Sequence, residues 1–187
     1  MIFALIGRSG CGKSTLASIL SNRLSIPNII SYTTRPKRID EMNQFDYNFI
    51  SNEEFLKLYN DNSIVAMKYI EANDWYYGYD LGQINKIINS NKNMILVITP
   101  DGYKELKEKF GDKVCSILIK TNEKEMITRC LKRDRGSTAF EICRRFISDE
   151  KDYKDFKGDF EADNDDDIDN TICFIEGLVR GYLYAKK

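Results

Sequence analysis

Two groups of residues in this chain have the types and spacing to handle phosphate. Gly7-Arg8-Ser9-Gly10-Cys11-Gly12-Lys13-Ser14 fits the pattern G-x-x-x-x-G-K-[ST]. Its glycines let the backbone wrap with N–H groups pointing inward, and the helix it opens adds a positive dipole end that favours an anion. Lys13 is spaced to reach the β and γ phosphates of ATP or GTP, and the Ser14 hydroxyl to ligate Mg²⁺. Gly7, Ser9, Gly10, Cys11, Gly12 and Thr15 complete the cradle. The second group is Arg35 and Arg38, within Ser31-Tyr32-Thr33-Thr34-Arg35-Pro36-Lys37-Arg38-Ile39-Asp40-Glu41. Guanidinium matches phosphate oxygens in bidentate geometry. A solvated basic turn is the commoner fate of such a cluster, but beside a phosphate loop it points to a second phosphate site.

These groups need a scaffold, and the hydrophobic pattern supplies one. Met1 to Ile6 reads as a buried strand, Leu16 to Leu24 as a helix, Pro27-Asn28 as a turn and Ile29-Ile30-Ser31 as a short strand. Strand, helix, strand implies parallel pairing, with ligands beyond the carboxyl ends of the strands. Ser31 should therefore sit across from the loop. Further on, Ser51 with Glu54 looks like a capping box for a helix from Phe55 to Asn60. Ile64 to Ile70 reads as a strand, Asp80 to Ile88 as a helix and Asn93 to Thr99 as a strand closed by the turn Pro100-Asp101-Gly102. Then follow a helix over Glu105 to Phe110, a strand over Val114 to Ile119, and two helices carrying Arg129, Arg133, Arg144 and Arg145. Ile168, Ile172, Ile175, Val179 and Tyr182 have helical spacing, with an acidic run at that helix's N-terminus that capping explains. The alternation predicts a three-layer α/β fold around a doubly wound parallel sheet.

Composition narrows the chemistry. The 187 residues allow one sizeable core, and 28 Lys and Arg against 29 Asp and Glu leave a net charge of −1, with no general basic field for nucleic acid. There is no histidine, so catalysis must run on Lys, Arg, carboxylates and metal. The five cysteines are scattered without C-x-x-C pairs and read as reduced thiols, Cys11 as a small filler residue in the loop. No run approaches membrane-spanning length and no leader pattern is evident. The expectation is a cytoplasmic protein whose partners are small molecules, with no nucleic acid and no membrane; monomer and homodimer are both open.

S-x-T-T-R-x-x-R-x-x-E followed by Asp46-Tyr47-Asn48-Phe49 resembles the nucleotide-binding segment of guanylate kinases, and the similarity extends over nearly the whole chain. The resemblance implies that Ser31 and Tyr47 help hold a nucleoside monophosphate and that Arg35 and Arg38 clamp its phosphate. Trp75-Tyr76-Tyr77-Gly78 is similar to the family's Tyr-Tyr-Gly, which gives Tyr77 a phosphate contact; Trp75 and Tyr76 read as core. The family's mobile lid carries arginines that match Arg129, either Arg133 or Arg135, and, of the pair Arg144 and Arg145, most naturally Arg145. Asn164 matches an asparagine near the adenine of ATP.

The base-reading positions depart from the family. Guanylate kinases place a glutamate on the strand before Tyr-Tyr-Gly and a Ser or Thr directly after it. Counting back from Tyr77 puts Lys68 at the glutamate position, counting forward from Ser51 puts Ala66 there, and Glu71 supplies the carboxylate only if the hairpin is short. Tyr79 replaces the Ser or Thr. The two acids of the later strand correspond to Val97 and Thr99, which leaves Mg²⁺ to Ser14, water and phosphates. The expected organisation is a single domain with a core of residues 1–32, 80–122 and 148–187, a monophosphate-binding segment at 33–79 and a lid at 123–147. The expected activity is ATP-dependent phosphorylation of GMP or dGMP, with Lys13, Arg35, Arg129, Arg133 and Arg145 catalytic. Alternatives are another nucleoside monophosphate, a non-catalytic protein-binding domain, which the intact loop argues against, and a sugar kinase, which the Thr-Thr-Arg segment argues against.

Overall fold

The computed structural model describes residues 1–39, 41–132, 138–165 and 167–185. Strand β1 (Ile2–Ile6) is buried along its whole length. Between β6 (Met94–Val97) and β7 (Val114–Lys120) it pairs parallel to both, and β8 (Phe160–Asp163) extends the sheet beyond β7, giving the order β6-β1-β7-β8. Because successive side chains on a strand point to opposite faces, Phe3 and Leu5 enter one apolar cluster and Ile2, Ala4 and Ile6 another. The first is closed by Leu16 and Leu20 of α1 (Lys13–Leu24) and by Ile172, Ile175 and Val179 of α7 (Ile168–Ala185). Ile84 and Ile88 of α3 (Leu81–Asn89) and Leu106 of α4 (Pro100–Phe110) close the second. These are the three layers expected.

Two local expectations change. Ile29-Ile30-Ser31 does not form a strand of this sheet: the edge contact is a single bridge of Asn28 to Ile95, with Ile29 N–H on the Ile95 carbonyl at 2.9 Å and Ile95 N–H on that of Pro27 at 2.9 Å. The chain then turns away because the Ser31 carbonyl is taken by Asn48 N–H at 2.9 Å. Pro100-Asp101-Gly102 is the first turn of α4 rather than a loop: the Thr99 side chain accepts Gly102 N–H, and proline suits a first helical position, where its missing N–H costs no helical bond.

A second sheet has the order β3-β2-β5-β4, built from β2 (Tyr32–Thr33), β3 (Asn48–Phe49), β4 (Ile64–Ile70) and β5 (Trp75–Asp80). α2 (Asn52–Asn60) covers it, opened by the reciprocal Ser51–Glu54 capping box. Phe55 of α2 is fully buried and stacks on Tyr76, which stacks in turn on Tyr69. Ala66 takes a left-handed φ of 54° in a bulge between Val65 and Lys68, and its N–H goes to Glu105 Oε2 of α4 at 2.8 Å. Beside this seam the buried Tyr79 hydroxyl donates to the Val97 carbonyl at 2.7 Å and accepts Val97 N–H at 3.2 Å. The second sheet is thus tied to the core where β6 ends. α5 (Glu123–Lys132) and α6 (Ala139–Tyr153) complete the chain's elements. Among the described residues no helix is long and apolar enough to cross a membrane.

Candidate active site

Gly12 ends the phosphate loop with φ 92°, and a Cβ placed there would lie 2.5 Å from Asn164 Nδ2. Glycine is therefore required twice, by conformation and by space. Cys11 is fully buried under the loop, as a filler residue should be. Asn164 is buried as well; its Nδ2 donates to the Cys11 carbonyl at 2.8 Å and its Oδ1 accepts from Thr171 Oγ at 3.2 Å. One N–H and one oxygen lone pair of its amide are thus spent on bracing the loop from behind. Lys13 Nζ lies across the loop, on the carbonyls of Gly7 at 2.6 Å and Arg8 at 3.0 Å. Ser14 and Thr15 are exposed in the first turn of α1. Among the described residues no cluster of three or more acidic or sulfur ligands could hold a metal by itself. Ser14 fits a Mg²⁺ that arrives on nucleotide phosphates and keeps several waters.

The second phosphate group is assembled on the other sheet. Arg35 and Glu41 form a buried ion pair, Nη2 to Oε1 at 2.7 Å, with their side chains only 3% and 1% exposed. Glu41 Oε2 also accepts Arg38 N–H at 3.0 Å. The guanidinium of Arg35 stands over the rings of Tyr47 and Phe49, 5.3 and 5.7 Å from their centroids, and Tyr77 meets Tyr47 edge to face. Burial works against the Arg35 charge, yet its bond to Glu41 and the neighbouring Tyr77 hold its pKa above the usual value. Burial likewise disfavours the Glu41 carboxylate, but the bonds from Arg35 and Arg38 keep its pKa low. Burial raises that of Tyr77, so the ring stays neutral and can donate. Burial, with Arg35 and Arg145 nearby, lowers the pKa of Arg38. Ser31 is buried against the Tyr79 hydroxyl, at the inner end of this group.

Helix α6 joins the two groups along one stripe. Glu141 accepts from Arg38 Nη2 at 3.0 Å and from Arg145, one turn on. Asp149 Oδ2 accepts the Ser9 N–H of the phosphate loop at 2.6 Å, and Asp152 holds Lys68 Nζ at 2.9 Å. Eight residues separate Glu141 from Asp149, about 12 Å of helix at 1.5 Å rise per residue. Arg145 stands midway, half-buried, while Arg144 is exposed over the Phe140 ring at 4.1 Å. Of that pair, Arg145 is the one turned toward Arg38 and Tyr77. Arg129 sits against the other side of the loop, with Nη2 on the Asn164 carbonyl at 2.9 Å and Nε on Glu125 at 2.9 Å. Arg133 and Arg135 lie outside the described residues.

The structure does not bring Glu71 to this site. It is exposed in the short helical turn that follows β4, and the register Ile70 to Trp75 and Lys68 to Tyr77 leaves the hairpin no room to shorten. Lys68 is the residue opposite Tyr77. Ala66 has moved into the bulge, with its backbone turned to α4. Glu41, Glu141 and Asp149 were not identified from sequence as site residues. Glu41 stands in the quoted Thr-Thr-Arg run, and the Glu141–Arg145 spacing of four suits a helical ion pair; nothing local marks Asp149, whose partner is 140 residues away.

Comparison with known proteins identifies the family. A family model described as Guanylate kinase matches residues 2–181. The guanylate kinase of Wigglesworthia glossinidia brevipalpis is 33% identical over 187 residues, covering 96% of this chain and 86% of that protein. That of Helicobacter hepaticus is 35% identical over 129 residues, 67% of this chain. The alignments span only 62% of the Helicobacter protein's own length and 61% of that of the Bartonella henselae guanylate kinase. The crystal structure of guanylate kinase from Anaplasma phagocytophilum superposes with a TM-score of 0.70 at 25% identity, covering 97% of this chain and 85% of that one. A family model that matches all but a few residues and a relative one-third identical over nearly the whole of both chains settle the kinship: the chain belongs to the guanylate kinase family.

Proposed function

We propose that this chain transfers the γ-phosphoryl group of ATP to GMP or dGMP, giving ADP and GDP or dGDP. The observation that carries the reading is the placing of two anion-binding groups about 12 Å apart along α6, with Arg145 midway between them. The loop from Gly7 to Ser14, with Thr15, receives the triphosphate, and Ser14 meets the Mg²⁺ that accompanies it. Arg35, Arg38, Tyr47 and Tyr77 receive the monophosphate, with Ser31 toward the base. Phosphoryl transfer needs little covalent help from a protein, so positioning and charge neutralisation account for the catalysis. Lys13 leaves the Gly7 and Arg8 carbonyls for the transferring group, Arg145 and Arg129 approach it from either side, and Arg35 fixes the acceptor. Mg²⁺ neutralises phosphate charge when bound. No general base is required, in keeping with a chain that lacks histidine. Both substrates are cytoplasmic nucleotides, and we place the reaction there.

A second reading, a kinase for a different nucleoside monophosphate, is favoured by one observation: Lys68, a donor, stands opposite Tyr77. A site whose donors face the N1–H and 2-amino group of guanine leaves buried polar groups unpaired. Coupled ADP release with ATP, Mg²⁺ and each of GMP, dGMP, AMP, CMP, UMP and dTMP separates the readings. Preference for the guanine pair is expected. Preference for another base moves the substrate and leaves the mechanism, and silence on all six overturns both.

A further inference from the structure

We propose that the acidic stripe of α6 is an internal competitor for the substrates' phosphates, and that displacing it couples the two nucleotide sites. The inference rests on the kinase reading above. Glu141, Arg145, Asp149 and Asp152 follow one another at spacings of four, four and three, so they share a face of one helix. Each carboxylate on that face engages a group that handles nucleotide or adjoins one that does. Asp149 holds the Ser9 amide of the phosphate loop at 2.6 Å, Glu141 holds Arg38 at 3.0 Å and the neighbouring Arg145, and Asp152 holds Lys68, opposite Tyr77, at 2.9 Å. Glu150, on the adjoining edge, pairs with Arg8 at 2.9 Å, and Arg8 also reaches Glu123 at 3.3 Å. Arg8 Nε is nevertheless buried without an acceptor. The loop's edge arginine is thus arranged by carboxylates that leave one of its donors unanswered, and a phosphate oxygen can answer it.

A single N–H cannot serve two anions, and a carboxylate beside a bound triphosphate would repel it across a few ångströms. Phosphate on the loop therefore requires Asp149 to leave Ser9. Phosphate on Arg38 likewise requires Glu141 to release it. Both carboxylates belong to one rigid helix, so whichever nucleotide binds first does part of the displacement that the second would otherwise need. The coupling is reciprocal by thermodynamic necessity: each nucleotide raises the affinity for the other by the same factor.

The test is calorimetric titration of the full chain and of Asp149→Ala with inorganic tripolyphosphate and with a non-transferable ATP analogue, each with and without GMP. Freed of its competitor, Asp149→Ala should bind tripolyphosphate and the analogue about tenfold tighter than wild type, the equivalent of one charge-assisted hydrogen bond. GMP should tighten analogue binding to wild type several-fold, and that factor should fall toward one in the variant. Asp149→Asn keeps the shape and a weaker acceptor, so it should shift in the same direction by about threefold; it carries the test if the alanine variant does not fold. Unchanged or weaker binding in a folded variant overturns the competitor. Tighter binding that leaves the GMP factor unchanged overturns the coupling. Wild-type protein that binds neither probe overturns the kinase reading, and the stripe with it.

Discussion

Replacing Glu41 by glutamine removes one charge from the most enclosed ion pair among the described residues while keeping its shape. In the wild type, Glu41 accepts from Arg35 Nη2 at 2.7 Å and from Arg38 N–H at 3.0 Å. A glutamine can satisfy one of these with its oxygen but turns an NH₂ toward the other, so a donor faces a donor. Removing one partner of a buried pair costs about 3–5 kcal/mol. The Tyr47 and Phe49 rings still face Arg35 in the variant, so about 3 kcal/mol is expected. For a chain of this size that is a fall in melting temperature of about 6–12 °C. The pH dependence has a definite sign. The folded Glu41 pKa lies below its ordinary value of 4.5, despite the burial that opposes it, because Arg35 and Arg38 bind the charged form. Its contribution is therefore fully present above pH 4.5 and is lost as pH falls through the lower folded value. Melting curves at pH 7 should separate wild type from Glu41→Gln widely, and curves taken at progressively lower pH should bring them together. On the proposed function, the loosened Arg35 should also raise the KM for GMP about tenfold or more while that for ATP changes little. Equal melting temperatures at pH 7, or a gap that widens on acidification, would refute the reasoning.

Two further outcomes follow from the site. On the mechanism proposed above, Lys13→Ala should lower kcat by more than about a hundredfold, since it removes the ammonium assigned to the transferring group. Far-ultraviolet circular dichroism and melting should stay near wild type, because among the described residues Lys13 Nζ bonds only to loop carbonyls and the Cys11 sulfur; wild-type turnover would remove Lys13 from the mechanism. Tyr79→Phe leaves Val97 N–H and C=O without the hydroxyl that now serves both, at a cost of about 1–3 kcal/mol readable by urea denaturation. An unchanged midpoint would mean that the seam between the sheets does not depend on that bond.

The core was legible because its signals are local. The β1 run, the glycine-lysine loop, the Ser51–Glu54 cap and the apolar stripe of α7 each occupy a few consecutive residues and carry their own periodicity. Arg35, Arg38, Tyr47 and Tyr77 were legible by resemblance, and the fold brings Arg35, Tyr47 and Tyr77 into contact. The failures are of another kind. Ile29 to Ser31 has the composition of a strand, but a neighbouring segment competes for its Ser31 carbonyl, a contest no single stretch reveals. Glu71 was a matter of hairpin register, decided by the pairing of Lys68 with Tyr77. Asn164 matched a family position by resemblance, but its bracing of the loop through the Cys11 carbonyl and Thr171 depends on contacts far along the chain that no local pattern shows. Asp149 gave no sign at all, since its meaning comes from an amide 140 residues away.

That long reach of Asn164 bears on how the protein is made. The loop is translated well before its brace: the side chain that supports it from behind stands 153 residues later, fixed in its turn by Thr171. Strand β8, which leads directly into Asn164, must first dock on β7. Translation at about 5–20 residues per second puts roughly 8–30 seconds between loop and brace. Through that interval the nascent chain carries a glycine-rich segment without the hydrogen bond from Asn164 to the Cys11 carbonyl, and parallel pairings of such sequence separation form slowly. On the proposed function, affinity for nucleotide should thus arise only once β8 and Asn164 have emerged, so a ribosome stalled before Asn164 would display the loop without its brace.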